Sequence, residues 1–172
     1  PLVIGSYGDE AAAKPIVAFM YDFTDATWTL VDKSKNIYSL DVSSLEEKYG
    51  MRIHRAFVEG EAYFHRTITD YNLLEEEEFC DYDGIMYMRT KGGAPTNVEA
   101  TSYGLSFVRL QIENVSYLTM ENIHFKGGNS RNPLLKLDAP SMYFRFTHCD
   151  ITHAFYYIIQ MESTSAAINY NP

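Results

Sequence analysis

Short alternations of apolar and polar residues, separated by Gly, Asn, Asp and Pro, run through most of the chain. This pattern predicts β-strands rather than helices. Residues 43–48 are the one stretch typical of a helical turn, because serines there precede two glutamates that favour the first turn of a helix. The alternation therefore predicts an all-β protein with very little helix.

Two strips of apolar residues recur in the second half of the chain. Residues 117–125 align with residues 143–151 at an offset of 26, and residues 134–137 align with residues 158–161 at an offset of 24. A third copy of the first strip is expected near residue 168. The apolar positions that coincide in the first strip are Leu118 with Phe144, Met120 with Phe146, Ile123 with Cys149, and Phe125 with Ile151.

A repeat of this length without helices fits stacked coils of short parallel strands. A leucine-rich repeat would show a Leu-x-x-Leu-x-Leu signature, which the strips lack. The alternation slips at Asn122 and His148, where we expect a bend, because asparagine tolerates a left-handed backbone. Since alternate residues of a strand point inward, the residues expected inside are Leu118, Met120, Phe144, Phe146, Ile168 and Tyr170.

Upstream of the repeat, residues 20–97 alternate as strands but do not follow the same period. Glu59-Gly60 and Asp83-Gly84 are typical of hairpin turns. We therefore predict first coils in residues 1–19, an inserted antiparallel β module in residues 20–97, and further coils in residues 98–172. Both ends interrupt a strand-like pattern, so we expect a piece of a longer protein with an exposed last coil.

Several stretches carry a resemblance to a known family. They are PLVIGSYG at residues 1–8, KPIV at 14–17, residues 28–38, EFCD at 78–81, GIMYM at 84–88, GAP at 93–95, and NVSYLTMEN at 114–122. Together they resemble the early coils, the insertion and the re-entry coil of pectate-lyase-like proteins, the pectin-lyase fold. The resemblance implies a right-handed parallel β-helix with an inserted antiparallel β-rich module.

The same resemblance implies a function. It suggests the N-terminal part of a secreted or periplasmic carbohydrate-active enzyme, either a polysaccharide lyase or a glycoside hydrolase, with a polysaccharide or oligosaccharide as partner. This piece is expected to be inactive alone. The alternative is a non-catalytic β-helix that binds glycans or serves a structural role, as in adhesins and tailspikes. No cofactor is indicated; calcium stays an option for the parent protein if it is a lyase.

Charge and cysteine content narrow the possible partners and ligands. The chain has 14 Lys and Arg and 23 Asp and Glu, which give a net charge of −9. Because the basic residues form no cluster, nucleic acid is not expected as a partner. Cys80 and Cys149 have no metal-binding spacing, so we expect buried small hydrophobic residues rather than a disulfide. No apolar run approaches the length of a membrane span.

Candidate catalytic residues follow from the two chemistries. Hydrolysis needs a pair of carboxyl groups, and a lyase needs a base together with a cation that neutralises a uronate. Such residues must project outward from neighbouring coils. The residues that meet this condition are Glu121, His124, Arg145 and Asp150, with Lys136 on a different strand. The alternative is an ordinary solvated face with a surface ion pair worth less than about 1 kcal/mol.

Three other groups favour a structural interpretation. His148 and His153 have no acidic cluster near them in sequence and are expected in turns. The run Glu75–Glu78 is more typical of a solvated loop than of a calcium site. Lys91-Gly92-Gly93 lacks the spacing of a phosphate-binding loop and is expected to form a turn.

Overall fold

A computed structural model describes residues 2–6, 13–45, 53–102, 110–127, 135–138, 142–153 and 159–162. Strands account for nearly all of its regular structure, which confirms the all-β prediction. Helix is limited in these residues to a turn at residues 43–45 and a short 3₁₀ helix, Tyr71–Leu73. The chain divides into two compact units, one formed by Pro1–Phe19 with Ser106–Pro172, the other by Met20–Leu105.

The Met20–Leu105 unit is built on one eight-stranded sheet with the order β3-β10-β6-β7-β8-β9-β5-β4. Its neighbouring strands are antiparallel except for β7 and β8, which are parallel. The strands are β3 (Tyr21–Asp22), β4 (Thr29–Asp32), β5 (Ile37–Asp41), β6 (Ile53–Val58), β7 (Glu61–His65), β8 (Glu78–Tyr82), β9 (Ile85–Arg89) and β10 (Val98–Ser102).

Two tight turns in this sheet are those that the sequence predicts. Glu59 and Gly60 join β6 to β7 with φ of 52° and 84°, and Asp83 and Gly84 join β8 to β9 with φ of 54° and 75°. Two successive positive φ values define the hairpin turn whose twist matches that of the flanking strands, and glycine adopts them without steric cost. The predicted hairpins are therefore confirmed.

One face of the eight-stranded sheet forms the core of this unit. Phe79, Met86 and Met88 have no exposed surface, and the cross-strand pairs Phe79–Met88 and Asp81–Met86 put these residues on the same face of β8 and β9. The half-buried Trp28 packs against this cluster. Burial of these large side chains is the main stabilising contribution within the unit.

The other unit contains three small parallel sheets, each three strands wide. Their orders are β1-β12-β15, β2-β13-β16 and β11-β14-β17. The strands are β1 (Leu2–Gly5), β2 (Ile16–Phe19), β11 (Leu110–Ile112), β12 (Ser116–Glu121), β13 (His124–Gly127), β14 (Leu135–Asp138), β15 (Met142–Thr147), β16 (Asp150–Thr152) and β17 (Ile159–Glu162).

The registers of these sheets are the offsets of the sequence repeat. Leu118 pairs with Phe144 and Phe125 with Ile151, each 26 residues apart, whereas Leu135 pairs with Ile159 at a spacing of 24. Leu118 and Met120 are 1% and 2% exposed and lie in one apolar cluster with the half-buried phenylalanines of β15. The predicted pairing and inward positions are confirmed there, whereas Ile168 and Tyr170 lie outside the described residues.

The predicted bends are also present. Asn122 and His148 have φ of 54° and 52°, and each separates a strand of the first parallel sheet from a strand of the second. The Asn122 amide N–H donates to the Thr147 carbonyl at 2.9 Å, which joins the two bends. A left-handed residue between two short strands turns the chain without a long loop.

The prediction of a right-handed parallel β-helix is wrong. The largest sheet is mixed and mostly antiparallel, and apart from the pair β7 and β8 the parallel pairing lies in three small sheets. The repeat offsets specify which strands are neighbours, but they contain no information on the path or handedness of the connections. Local parallel pairing satisfies the periodic pattern, and the continuous solenoid predicted for residues 1–19 and 98–172 is not shown.

Both cysteines are free thiols, Cys80 buried and Cys149 half-buried. The expected absence of a disulfide agrees with this, and the expected burial is confirmed for Cys80. Burial, followed by the nearby charges of Asp81 and Asp70, raises the pKa of the Cys80 thiol to about 11.

We expect the two thiols to differ strongly in reactivity. With a pKa of about 11, Cys80 forms about a hundredfold less thiolate than a thiol of pKa 9.0, and burial slows access further. Measured with Ellman's reagent on the native protein, C149S, which retains only the buried Cys80, should react at least about tenfold more slowly than C80S. Equal rates would contradict the burial of Cys80, and both variants should react fully in denaturant.

Two phenylalanines on neighbouring strands provide a test of the core. Phe79 is fully buried, whereas Phe64 is 68% exposed. Phe79→Ala should lower the free energy of unfolding by about 3–5 kcal/mol because it leaves a cavity, and Phe64→Ala should change it by less than about 1 kcal/mol. Denaturant unfolding followed by circular dichroism measures both; similar losses in the two variants would contradict this packing.

Candidate functional site

The outer face of the first parallel sheet carries a pair of exposed tyrosines. Tyr117 on β12 and Tyr143 on β15 stack with ring centroids 4.6 Å apart and planes inclined by 6°. They are 57% and 59% exposed, and both have a left-handed backbone, with φ of 60° and 62°. Large aromatic side chains rarely adopt positive φ, so neighbouring strands hold both residues in an uncommon conformation.

Polar residues continue this face in register with the tyrosines. Thr119 pairs with Arg145, and Glu121 pairs with Thr147. Arg145 and Glu121 are exposed. The structure therefore brings the predicted candidates Glu121 and Arg145 onto one face. Arg145 lies opposite Thr119, which precedes Glu121 by two residues on β12. We call this surface, formed by Tyr117, Tyr143, Thr119, Arg145, Glu121 and Thr147, the tyrosine face.

The predicted neighbours His124 and Asp150 pair directly between β13 and β16, on the second parallel sheet. Lys14 donates to the Asp150 carboxylate at 2.8 Å. His124 Nε2 lies 2.7 Å from the Thr152 hydroxyl oxygen. The hydrogen bond and charge of Lys14, with a smaller contribution from His124, lower the pKa of Asp150. These residues form a surface charge cluster.

This cluster is poorly suited to acid catalysis. The general acid of a glycoside hydrolase needs a raised pKa so that it is protonated at working pH. Asp150 has the opposite shift, and its carboxylate is 53% exposed and paired with Lys14. The alternative interpretation of a surface ion pair therefore describes Asp150 better than a catalytic role.

Lys136 is not brought to either group. It lies on β14, in the third parallel sheet, where it pairs with Gln111 and Gln160. The candidates predicted from sequence thus occupy three different sheets. They do not form a single site among the described residues.

The tyrosine pair was missed as a specific candidate, although the sequence contains its signal. Tyr117 and Tyr143 head the two aligned strips at the offset of 26. In parallel strands, residues at equivalent positions are neighbours about 4.8 Å apart, which is the distance for ring stacking. An aromatic residue that recurs at the 26-residue offset, one residue before an inward-facing position, therefore predicts an exposed stack of rings.

A second cluster of titratable side chains lies in the Met20–Leu105 unit. His65 Nε2 and Asp81 Oδ1 are 2.8 Å apart, with side chains only 15% and 9% exposed. The ring of His54 meets that of His65 edge-on at 5.6 Å. The other Asp81 oxygen accepts the amide N–H of Ile53 at 3.2 Å, so this carboxylate ties β6, β7 and β8 together.

The remaining sequence candidates have structural roles where they are described. Glu78 pairs with Arg66 at 2.7 Å, and Glu77 pairs with Lys91 at 2.7 Å. His148 and His153 both have a left-handed backbone, His148 in the bend between β15 and β16 and His153 directly after β16. Among the described residues, no group of three or more His, Cys, Asp or Glu side chains is arranged to hold a metal ion.

No protein-family model, curated protein or solved structure matches the chain. The predicted resemblance to pectate-lyase-like proteins is therefore wrong at the family level, as the mixed eight-stranded sheet indicates for the fold. Within the part of the chain that is described, no helix has the length and apolar character needed to cross a membrane.

The histidine cluster predicts a pH dependence of stability. Burial, with a further contribution from the charge of His65, lowers the pKa of His54, while Asp81 opposes this shift. The unfolded chain therefore takes up a proton near pH 6.5, whereas folded His54 resists protonation. The free energy of unfolding is highest above this pH and decreases as the pH falls below it.

Between pH 7.5 and 5.5, the free energy of unfolding should fall less steeply in His54→Gln than in the parent protein. One proton limits the difference in slope to about 1.4 kcal/mol per pH unit. Urea unfolding at several pH values measures this slope. Asp150→Asn is the control, because the carboxyl group that it removes titrates below this pH range. Identical slopes for His54→Gln and the parent protein would contradict the shift.

Proposed function

We propose that the chain is a carbohydrate-binding protein and that the tyrosine face is its binding surface. The observation that supports this proposal most directly is the exposed, face-to-face stack of Tyr117 and Tyr143, whose outer ring surface is open to a ligand. Sugar rings have apolar C–H faces that pack on aromatic rings, and hydroxyl groups that need polar partners alongside. The tyrosine face offers both.

The polar part of this surface is matched to sugar hydroxyl and carboxylate groups. Thr119 and Thr147 supply hydroxyls that donate and accept, Glu121 accepts, and Arg145 donates in a planar fork. Arg145 is suited to the carboxylate of an acidic sugar because a guanidinium can donate two parallel hydrogen bonds to it. The local cation makes an acidic glycan compatible with a chain of net charge −9.

Binding without cleavage is the function that these residues support best. The tyrosine face as defined carries one carboxyl group, Glu121, and not the pair that hydrolysis needs, and Asp150 lies on another sheet with a lowered pKa. The parent-enzyme interpretation and the expected secreted or periplasmic location stay predictions. The non-catalytic alternative drawn from the sequence becomes the proposal.

Removal of either aromatic ring should weaken glycan binding. Tyr117→Ala and Tyr143→Ala should each raise the dissociation constant at least about tenfold, which corresponds to about 1.4 kcal/mol. A glycan array selects the ligand, and isothermal titration calorimetry with that ligand measures the effect. Tyr82→Ala is the matched control, because Tyr82 is similarly exposed at 51% but lies in the other unit.

Arg145→Gln separates acidic from neutral ligands. If the ligand carries a carboxylate, this variant should weaken binding at least tenfold and reduce its salt dependence, whereas a neutral ligand should lose much less. Unchanged binding in both tyrosine variants, or equal losses in Tyr82→Ala, would contradict the proposed surface. The appearance of new reducing ends or unsaturated uronates would contradict the non-catalytic assignment.

A further inference from the structure

Two opposite charges on the tyrosine face are available to a ligand. Arg145 and Glu121 are both exposed. Within the part of the chain that the structure describes, neither side chain belongs to an ion pair. On the β1 side Glu121 pairs with Gly5, which has no side chain that would cover the carboxylate. A ligand that lies on this face therefore meets both charges.

The registers fix the order of the groups along the face. The first row is formed by Tyr117 and Tyr143, the second by Thr119 and Arg145, and the third by Glu121 and Thr147. The second and third rows are two residues apart, which is about 6.6 Å along a strand, and neighbouring strands are about 4.8 Å apart. The Cα atoms of Arg145 and Glu121 are thus separated by about 8 Å. A ligand that stacks on the tyrosines and extends along the strands meets Arg145 first and Glu121 next.

We propose that the ligand of the tyrosine face is an acidic glycan in which uronates alternate with uncharged sugars, and that Glu121 selects this pattern. The selectivity rests on the proposed glycan binding, to which it adds the charge pattern of the ligand. Arg145 holds one uronate carboxylate through two parallel hydrogen bonds. The next sugar along the strands lies beside Glu121, which repels a second carboxylate.

A glycan with a carboxylate on every sugar fits this surface poorly. Arg145 is the one cation among the six residues of the tyrosine face, so a second carboxylate finds no partner there. The carboxylate next to the one on Arg145 comes close to Glu121, and like charges in contact weaken binding. At physiological ionic strength the Debye length is about 8 Å, so salt does not fully screen this repulsion.

A neutral glycan uses only part of the surface. It can stack on the tyrosines, but it leaves Arg145 without a carboxylate. An uncharged sugar is the suitable neighbour of the uronate, because its hydroxyl groups donate to Glu121 and exchange hydrogen bonds with Thr147. Alternation of charged and uncharged sugars is therefore the pattern that satisfies Arg145 and avoids repulsion by Glu121.

Three hexasaccharides with different charge patterns test this selectivity. In hyaluronan, glucuronate alternates with N-acetylglucosamine; oligogalacturonate has a carboxylate on every sugar; chitohexaose is neutral. Isothermal titration calorimetry with the full chain at physiological ionic strength measures the three dissociation constants. The constant for hyaluronan should be at least about tenfold lower than those for oligogalacturonate and chitohexaose.

Glu121→Gln tests the role of the carboxylate itself. Glutamine keeps the size of the side chain and its bonds to hydroxyl groups but removes the negative charge. The ratio of the oligogalacturonate to the hyaluronan dissociation constant should fall from at least about tenfold to less than about threefold. Glu61→Gln is the matched control, because Glu61 is also exposed but lies in the other unit, and it should leave this ratio unchanged.

The outcomes separate this selectivity from the proposed function. If Tyr117→Ala and Tyr143→Ala weaken binding while Glu121→Gln leaves the ratio unchanged, glycan binding at the tyrosine face stands and the selective role of Glu121 is wrong. Tighter binding of oligogalacturonate than of hyaluronan, equal binding of hyaluronan and chitohexaose, or no binding of any of the three would overturn the alternating pattern. If neither tyrosine variant changes the binding, the proposed function itself fails.

Discussion

Parallel pairing of β12 with strands on both of its edges is the interaction on which the rest of the Pro1–Phe19 and Ser106–Pro172 unit depends. It buries Leu118 and Met120 between apolar residues of β1 and β15. The same register aligns the bends at Asn122 and His148, so that β13 and β16 also pair. It sets Tyr117 over Tyr143 at the strand spacing.

The proposed function makes use of this pairing. Side chains that alternate outward from β12 and β15 form the tyrosine face, where stacked aromatic rings adjoin polar groups suited to sugars.

Much of this could be predicted from sequence because it is local or periodic. The Asp83-Gly84 hairpin, the left-handed bend at Asn122 and the pairing of Leu118 with Phe144 follow from residue type and spacing. The right-handed β-helix does not follow from these offsets, because three small parallel sheets satisfy them equally well. Of the predicted candidates, Glu121 and Arg145 share a face, whereas Lys136 lies on another sheet.

The sequence by itself determined that the protein is all-β, which described residues of the repeat face inward, and that the strands of the two aligned strips are neighbours. These properties depend on the two-residue period of a strand and on a repeat that is visible in the sequence. Only the tertiary structure decided the order of the eight-stranded sheet and the contact between Lys14 and Asp150, which are 136 residues apart. Contacts at that separation depend on which surfaces pack together, and alternation alone does not encode this.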